Sequence, residues 1–417
     1  MRSVVCLIGL WMATLPAWAG GHITGALQRN IRSVQIINAN HPQRQPIINL
    51  GSTDQLTLSF DDMSSSQSTY SYRIYHCNRY WETDDLSDSE YIDGFANGYL
   101  EDYQYSFNTY MTYTHYEMSV PNDDCHFKIS GNYLLRVYED NDEEKPVLNA
   151  CFSIVEPQIE IKAEASGRTD LSYQRDYQQV RVELLYPNYR INSPDQELFV
   201  MVKQNGRLDN AAWATRPDYV THGKAVYRNT PDFIFEAGNT YRVFDISSQY
   251  VVSERVEHIT YHKPYFHVTL YPDEPRDKKQ FDYIRDVAGR YQIHLQFSEH
   301  SGYEADYFFT HFSLPAETPY AGDVYLSGEL TGWKIDEAAR MQYNPQAKAY
   351  ENILLLKQGG YNYQYLFVPY GEKAAHTAAI EGNKWETENE YGIYVYHHPF
   401  DSRYDRLIGY QLIYANR

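Results

Sequence analysis

Few side chains in this sequence have the types and spacing needed for chemistry. His76 is followed directly by Cys77, and a cysteine nucleophile with a histidine base is a known catalytic type. Adjacent residues in a strand point to opposite faces of a sheet, so we expect a structural cysteine here. His397 and His398 fail as a pair of metal ligands for the same geometric reason.

The sequence motifs of common enzyme classes are absent. There is no G-x-S-x-G elbow, no H-E-x-x-H helix, no Walker loop and no Rossmann glycine pattern. Acidic residues are numerous, but sequence alone cannot bring two of them to the separation that glycoside hydrolysis requires. A hydrolase with its site between domains is an alternative that only the acid excess supports. We therefore predict a protein that is not an enzyme, with no catalytic residues, cofactor or bound metal.

The elements that must position these residues are short strands separated by polar turns. Leu56, Leu58 and Phe60 alternate with polar residues, which is the pattern of a strand with one buried face. Strand patterns recur about every 8–12 residues and helical periodicity is scarce. The sequence predicts an all-β fold of serial immunoglobulin-like antiparallel β-sandwich domains.

The length of the chain implies more than one domain. A chain of 417 residues is too long for one hydrophobic core. Glu156-Pro157 reads as a short link after a strand pattern, and Pro315 and Pro319 bracket a later boundary. We predict a signal peptide at 1–19, a first β-sandwich domain at 20–155, a second at 156–316, and a C-terminal early-set immunoglobulin-like domain at 317–417.

The composition favours a protein that binds other proteins. Tyrosine accounts for 42 of the 417 residues, and its ring packs across strands while its hydroxyl reaches water. Tyrosine is also enriched at protein interfaces. The excess of 55 Asp and Glu over 36 Lys and Arg argues against nucleic acid and against docking on anionic lipid.

The N-terminus predicts export from the cytoplasm. Arg2 precedes an apolar run that ends near Leu15, and a small-x-small cleavage site follows at Ala17-Trp18-Ala19. The run is shorter than the roughly 20 residues of a membrane span. Cleavage after Ala19 would remove one positive charge and change the net charge from −19 to −20. We expect a soluble mature chain.

Three cysteines follow the predicted signal peptide, namely Cys77, Cys125 and Cys151. An odd number leaves at least one thiol free or paired between molecules. One disulfide is compatible with an exported protein, but the sequence does not select the pair. The spacing of these cysteines is not that of a zinc site.

The C-terminal region has a recognisable layout. A strand pattern from Val324 leads to a glycine turn and then to Trp333, and a second pattern follows at 359–368. The layout resembles the early-set immunoglobulin-like domains that bind α-glucans in branching enzymes and kinase β-subunits. In those domains an aromatic residue after the glycine turn often stacks on sugar, and Trp333 stands at the matching position. A core or domain contact is the competing interpretation of Trp333.

Several further motifs occur together over nearly the whole chain. They are YRIYHCNRYW at 72–81, EYIDGF at 90–95, SFNT at 106–109, YTHY at 113–116, PN at 121–122, SGNY at 130–133, NEYG at 389–392 and RYDRLIGY at 403–410. This set resembles the plug proteins of the type IX secretion system of Bacteroidetes. The motifs in the first domain are distinctive, and the segment 106–116 reads as a long, packed connection.

The resemblance implies a periplasmic protein that binds the outer-membrane translocon barrel and closes its periplasmic opening. It implies no catalytic residues, no cofactor and no insertion into the membrane. The partner would be the barrel protein, and the oligomeric state is left open. The alternative function is a glycan-binding multi-domain protein that uses an aromatic platform around Trp333.

Overall fold

Strands make up 47% of the chain and helices 5%, which confirms the predicted all-β fold class. The computed structural model describes residues 21–64, 68–170, 176–214 and 216–416. The predicted signal peptide at 1–19 lies outside the described residues. Where apolar and polar residues alternate in the sequence, one face of the strand is buried. Leu56, Leu58 and Phe60 are buried, whereas Thr57 and Ser59 are only partly covered, as a side-chain period of two requires.

The first unit is a sandwich of two sheets. One sheet has the strand order β1-β12-β11-β5-β7, with β3 parallel to β12, and the other has the order β2-β4-β9-β8. Both sheets contribute to one core, which includes Phe60, Tyr116 and Tyr133. The elements are β1 (Gly25–Ala26), β2 (Ile31–Asn38), β3 (Ile47–Asn49), β4 (Leu56–Asp62), β5 (Tyr70–Cys77), α1 (Asp88–Tyr91), β6 (Ile92–Gly94), β7 (Asn97–Tyr99), β8 (Tyr103–Tyr105), β9 (Thr114–Val120), β10 (Cys125–Phe127), β11 (Gly131–Glu139) and β12 (Pro146–Val155).

The second unit takes strands from two separate parts of the chain. Its sheets have the orders β13-β14-β18-β17, with β19 beside β14, and β16-β15-β29-β30. Val200, Ile393 and Ile408 share its core. The elements are β13 (Glu160–Ser166), β14 (Tyr177–Leu185), α2 (Pro194–Glu197), β15 (Leu198–Gln204), β16 (Ala212–Ala214), β17 (Tyr219–Thr221), β18 (Lys224–Tyr227), β19 (Ile234–Glu236) and the returning β29 (Glu390–His397) and β30 (Arg406–Tyr414).

The third unit lies between these two parts of the second in sequence. One sheet has the order β20-β28-β23, with β25 also paired to β28, and the other has the order β21-β22-β24-β27-β26. Its core is aromatic, with Phe244, Phe312, Tyr361 and Tyr363 in contact. The elements are β20 (Arg242–Asp245), β21 (Val256–His262), β22 (Tyr265–Leu270), β23 (Tyr291–Ile293), α3 (Ser301–Glu304), β24 (Tyr307–Pro315), β25 (Gly322–Ser327), β26 (Gln342–Asn344), β27 (Ala349–Lys357) and β28 (Gly359–Pro369).

The strand pairing does not follow the predicted ranges 156–316 and 317–417. β24 pairs with β27 across that boundary, and β29 pairs with β15 of the second unit. The last two strands return because their apolar face completes the core around Val200. We therefore propose an arrangement in which the third unit is an insertion into the second. The relation of 317–417 to early-set domains stays a prediction.

Within the described ranges, no helix has the length and apolar character needed to cross a membrane.

Candidate functional site

The adjacent His76 and Cys77 occupy different environments. His76 Nδ1 lies 2.6 Å from a carboxylate oxygen of Asp84, and its Nε2 lies 3.2 Å from the carbonyl oxygen of Ser130. Cys77 is buried with Trp81 in a separate apolar cluster, and burial raises its pKa. The two side chains stabilise the fold on opposite sides of β5, and this geometry does not give a nucleophile with its base.

The three cysteines described here are free and buried. Burial raises the pKa of Cys125 to about 11 and that of Cys151 to about 12. A thiol reacts as its thiolate, so these residues are poor nucleophiles in the folded state.

The adjacent His397 and His398 also bind different partners. His397 Nδ1 lies 2.7 Å from the hydroxyl of Tyr189, whereas His398 Nδ1 lies 2.9 Å from a carboxylate oxygen of Asp405. In the part of the chain that the structure describes, no group of three or more His, Cys, Asp or Glu side chains is arranged to hold a metal ion.

Trp333 lies at a junction between units. It follows the turn at Gly332, has a φ of 58° and is half-buried. Its ring packs edge-on against Tyr241 at 6.5 Å, and a Cβ added at Gly289 would lie 2.5 Å from it. The ring therefore packs against the protein on at least one side. Its use as a sugar platform stays a prediction.

A buried charged cluster joins the first unit to the third. Lys357 Nζ lies 2.5 Å from Oδ2 of Asp61, and the Tyr307 hydroxyl donates to the same oxygen at 2.5 Å. His115 Nδ1 lies 2.6 Å from Oδ1. Burial opposes ionisation of Asp61, but the charges and hydrogen bonds of Lys357 and His115 hold its pKa below the ordinary value. Sequence reasoning missed this cluster, because Asp61 has the register of the polar residues Thr57 and Ser59 in β4, where an aspartate is expected to face water.

The loop 106–113 of the first unit is docked on the third unit. Asp306 accepts hydrogen bonds from the backbone N–H groups of Tyr110 and the following residue, at 2.7 and 3.1 Å. The Tyr113 hydroxyl donates to the carbonyl oxygen of Ala305 at 2.6 Å. The polar and aromatic residues of this segment thus connect units, in addition to capping backbone within the loop.

A second contact joins the first unit to the second. Arg79 donates from its guanidinium to Asp405 at 2.6 Å and from its backbone N–H at 2.8 Å. The guanidinium also lies 3.7 Å from the centre of the Phe199 ring, which is a cation–π geometry. Beside it, Tyr80 packs on Trp213 with ring centres 5.4 Å apart.

A third contact joins the second unit to the third. Arg290 forms a buried ion pair with Glu390 of β29. Glu236 lies 2.9 Å from His376 Nδ1 and accepts both the backbone N–H and the hydroxyl of Thr377. Each pair of units is therefore joined by specific, largely buried charged groups, which fix relative orientation because breaking one leaves a buried charge without its partner.

The outer face of the β21-β22-β24-β27-β26 sheet is partly covered and partly open. The first unit covers the part near Tyr307 and Leu355. The remainder carries rings in mutual contact, with centres 5.1–5.4 Å apart. Burial and neighbouring histidines lower the pKa of His267 and His311. We name this surface the histidine-aromatic face, and it comprises His262, Tyr265, His267, Phe309, His311 and Ile353.

Comparison with known proteins gives both a family and a full-length structural match. Residues 31–156 match the family model of the type 9 secretion system plug protein first domain. The crystal structure of a hypothetical protein from Parabacteroides merdae ATCC 43184 is 38% identical and covers 95% of this chain and 100% of its own, with a TM-score of 0.92.

Other matches contribute less. Red sea bream transglutaminase is 10% identical, covers 52% of this chain and 28% of its own, and has a TM-score of 0.16, so it carries no argument. No curated protein matches the chain.

The matched segment begins with β2 and ends directly after β12, so it spans most of the first unit. It contains Asp61 and Arg79, which form charged contacts to the third and second units respectively. Plug proteins are structural components of their secretion system and are not a known enzyme family. The match thus indicates a role in type IX secretion and a periplasmic or secretion-system location. On this evidence residues 31–156 are a first domain of the type 9 secretion system plug protein family.

Proposed function

We propose that the protein is a non-enzymatic periplasmic plug that binds the outer-membrane translocon barrel of the type IX secretion system and seals its periplasmic opening. The observation that carries this proposal is the set of three charged contacts between the units, with Lys357–Asp61, Arg79–Asp405 and Arg290–Glu390 at their centres. A body that blocks a pore must keep its shape, and buried ion pairs resist relative movement of the parts they join. The predicted signal peptide agrees with the proposed location.

The histidine-aromatic face is the surface that we propose for contact with the barrel. It continues the interface between the first and third units on the same sheet. Large aromatic rings contribute most of the energy at protein interfaces and lose little conformational entropy when they are buried. The charge on this face is low, because lowered pKa values keep His267 and His311 mostly neutral at neutral pH. The chain has 55 acidic residues, and burying their charges in an interface is unfavourable because the carboxylates lose their hydration. Burying this weakly charged face in an interface avoids that penalty.

The test is affinity purification of the tagged protein from gently solubilised cell envelopes, followed by mass spectrometry. We expect recovery of a very large outer-membrane β-barrel in near-equal amount. Recovery of the protein without a barrel would overturn the proposed function.

The contact surface is tested with matched variants in the same purification. Tyr265 and Ile353 are 40% and 54% exposed on the face, whereas Tyr219 is 48% exposed on β17 of the second unit. Tyr265→Asp combined with Ile353→Asp should lose most of the barrel, and Tyr219→Asp should keep it. Equal recovery of the barrel by both variants would show that this face is not the contact surface, without contradicting the proposed plug function.

A further inference from the structure

A cavity of about 500 Å³ lies where the three units meet. The first unit contributes most of the segment 22–34, the second contributes Leu208 and Tyr394, and the third contributes the turn that carries Trp333. Small-molecule sites typically have volumes of about 300–1,000 Å³. The cavity therefore has the size of a ligand site, and it is complete only when all three units are in place.

A large part of the lining is aliphatic. Eleven Ile, Leu and Val side chains contribute to it, and each of the three units supplies at least one. Protein interiors rarely leave apolar voids larger than a water molecule, because the lining of a void loses its dispersion contacts. Water gains little from entering such a space, so a ligand with a long hydrocarbon part complements it best. The eleven are Ile23, Leu27, Ile31, Val34, Ile36, Ile47, Leu208, Leu330, Leu354, Leu355 and Leu356.

Three cations of the lining have no partner within the part of the chain that the structure describes. Arg29 and Arg32 are exposed and Lys334 is half-buried, and their side-chain nitrogens form no ion pair or hydrogen bond with the described residues. We call these three residues the basic rim. Burial raises the pKa of Glu329 in the lining, which favours its neutral form, and Asp336 accepts two backbone N–H groups of its own turn. The basic rim is thus positive in a chain whose net charge is −19.

The other two cations of the lining already interact within the protein. The Lys203 ammonium lies over the rings of Trp81 and Tyr394, at 5.9 and 5.2 Å from their centres. Lys357 is paired with Asp61. Neither cation is therefore available to a ligand, and the basic rim carries the unpaired charge.

Trp81 adds a buried hydrogen-bond donor to the lining. It is 5% exposed, and its indole N–H has no acceptor among the described residues. The carbonyl oxygen of Trp81 accepts the backbone N–H of His22 at 3.0 Å, and Lys334 Nζ would lie 3.2 Å from a Cβ added at Gly25. Trp81 and Lys334 thus flank the same short segment. An indole N–H and an ammonium can only donate, so the group that complements both carries acceptor oxygens.

We propose that this cavity binds an amphiphile with one acyl chain and an acidic headgroup. The acyl chain covers the aliphatic lining, the headgroup lies at the basic rim, and one of its oxygens accepts the indole N–H of Trp81. Hydrogen bonds between a cation and an anion are the stronger ones, so an acidic headgroup is favoured over a neutral one. A free fatty acid and a lysophospholipid share this chemistry. The site does not depend on the proposed contact between plug and barrel.

The proposal is tested by isothermal titration calorimetry on the full chain without its predicted signal peptide, and native mass spectrometry counts the bound ligands. Dodecanoate and lauroyl-lysophosphatidylglycerol carry both chain and charge, monolaurin carries the chain without charge, and glycerol phosphate carries the charge without a chain. All are used below their micelle concentrations. We expect one acidic amphiphile per chain, bound at least about tenfold more tightly than monolaurin, and no binding of glycerol phosphate.

The two acidic probes distinguish the sources of the ligand. Binding of dodecanoate alone identifies a free fatty acid, and binding of the lysophospholipid alone identifies a phospholipid. Saturable binding of neither probe, or equally tight binding of monolaurin, overturns the proposal.

Variants locate the binding. Arg32→Glu combined with Lys334→Glu reverses two charges of the basic rim and should weaken binding of the acidic probes about tenfold or more. Arg216→Glu combined with Lys373→Glu is the matched control, since both residues are exposed and lie outside the lining, and it should bind like the wild type. Trp81→Phe keeps an aromatic ring without the N–H and should also weaken binding.

Near-UV circular dichroism identifies any variant that fails to fold. The rim variant decides the outcome if Trp81→Phe does not fold, because its two positions are not part of a core. Equal binding by the folded rim variant and its control overturns the proposal.

Discussion

Asp405 accepts two hydrogen bonds from Arg79, one from the guanidinium and one from the backbone N–H, although 326 positions separate the two residues. Arg79 lies in the distinctive motif at 72–81 and Asp405 in the motif at 403–410. The two motifs therefore meet in space at the junction of the first and second units. Each motif looks like a local feature of its own segment in the sequence, but in the structure the two motifs form a single contact.

Asp405→Asn should destabilise the protein by about 2–3 kcal/mol, because it leaves the partly buried guanidinium of Arg79 without its carboxylate. Urea unfolding measures the free energy of unfolding. Glu317→Gln is the control, since its ion pair with Lys348 is exposed, and it should leave the free energy of unfolding nearly unchanged. Equal effects of the two substitutions would contradict a structural role for the Arg79–Asp405 contact.

Lys357→Met should cost about 3–5 kcal/mol, because the carboxylate of Asp61 stays buried without its ammonium. Adding Asp61→Asn removes the unpaired negative charge, so the double variant should recover much of the lost free energy of unfolding. Both are measured by urea unfolding, and a double-mutant cycle gives the coupling. A double variant less stable than Lys357→Met alone would show that Asp61 stabilises the junction without Lys357.

Acidification should destabilise the histidine-aromatic face. Burial and neighbouring histidines hold the pKa of His267 and His311 in the folded protein below the ordinary value of 6.5. At a pH between the pKa values of the folded and unfolded states, the unfolded chain binds more protons than the folded one. The stability gained by burying neutral histidines is therefore fully present above pH 6.5 and is lost as the pH falls below that value. Of the neighbours of His311, His258 and His262 lower its pKa further, whereas Glu351 acts in the opposite direction.

The measurement for this prediction is the melting temperature between about pH 7.5 and about pH 5.5. His311→Gln removes one titrating ring and should show a smaller decrease than the wild type. Barrel recovery in the purification should decrease over the same range, because protonation places charge on the proposed contact surface. An equal decrease in melting temperature for variant and wild type would assign the effect to other groups.

Trp333→Ala should lower stability by about 1–3 kcal/mol, because the half-buried ring packs against Tyr241 and closely approaches Gly289. Thermal unfolding measures this loss. Calorimetry with soluble α-glucan tests the alternative role, and we expect no binding by either protein. Binding by the wild type that Trp333→Ala abolishes would instead establish Trp333 as a sugar platform.

The sequence by itself determined the fold class, because strand formation depends on local pattern. The alternation of Leu56, Leu58 and Phe60 predicts a strand with one buried face, and β4 has that face. The geometry that separates His76 from Cys77 is equally local, since neighbouring side chains in a strand point apart whatever the strand pairs with. The family motifs were also readable without a structure, and the family match confirms that assignment.

Tertiary structure alone decided how the units are assembled. β29 pairs with β15 rather than with a neighbour in sequence, and Asp61 pairs with Lys357 at a separation of 296 positions. Any of 55 acidic residues has the chemistry to pair with a given lysine, and a strand edge can accept many partners of suitable pattern. The choice among them depends on which apolar faces complete each core, and that is a property of the packed molecule rather than of any segment.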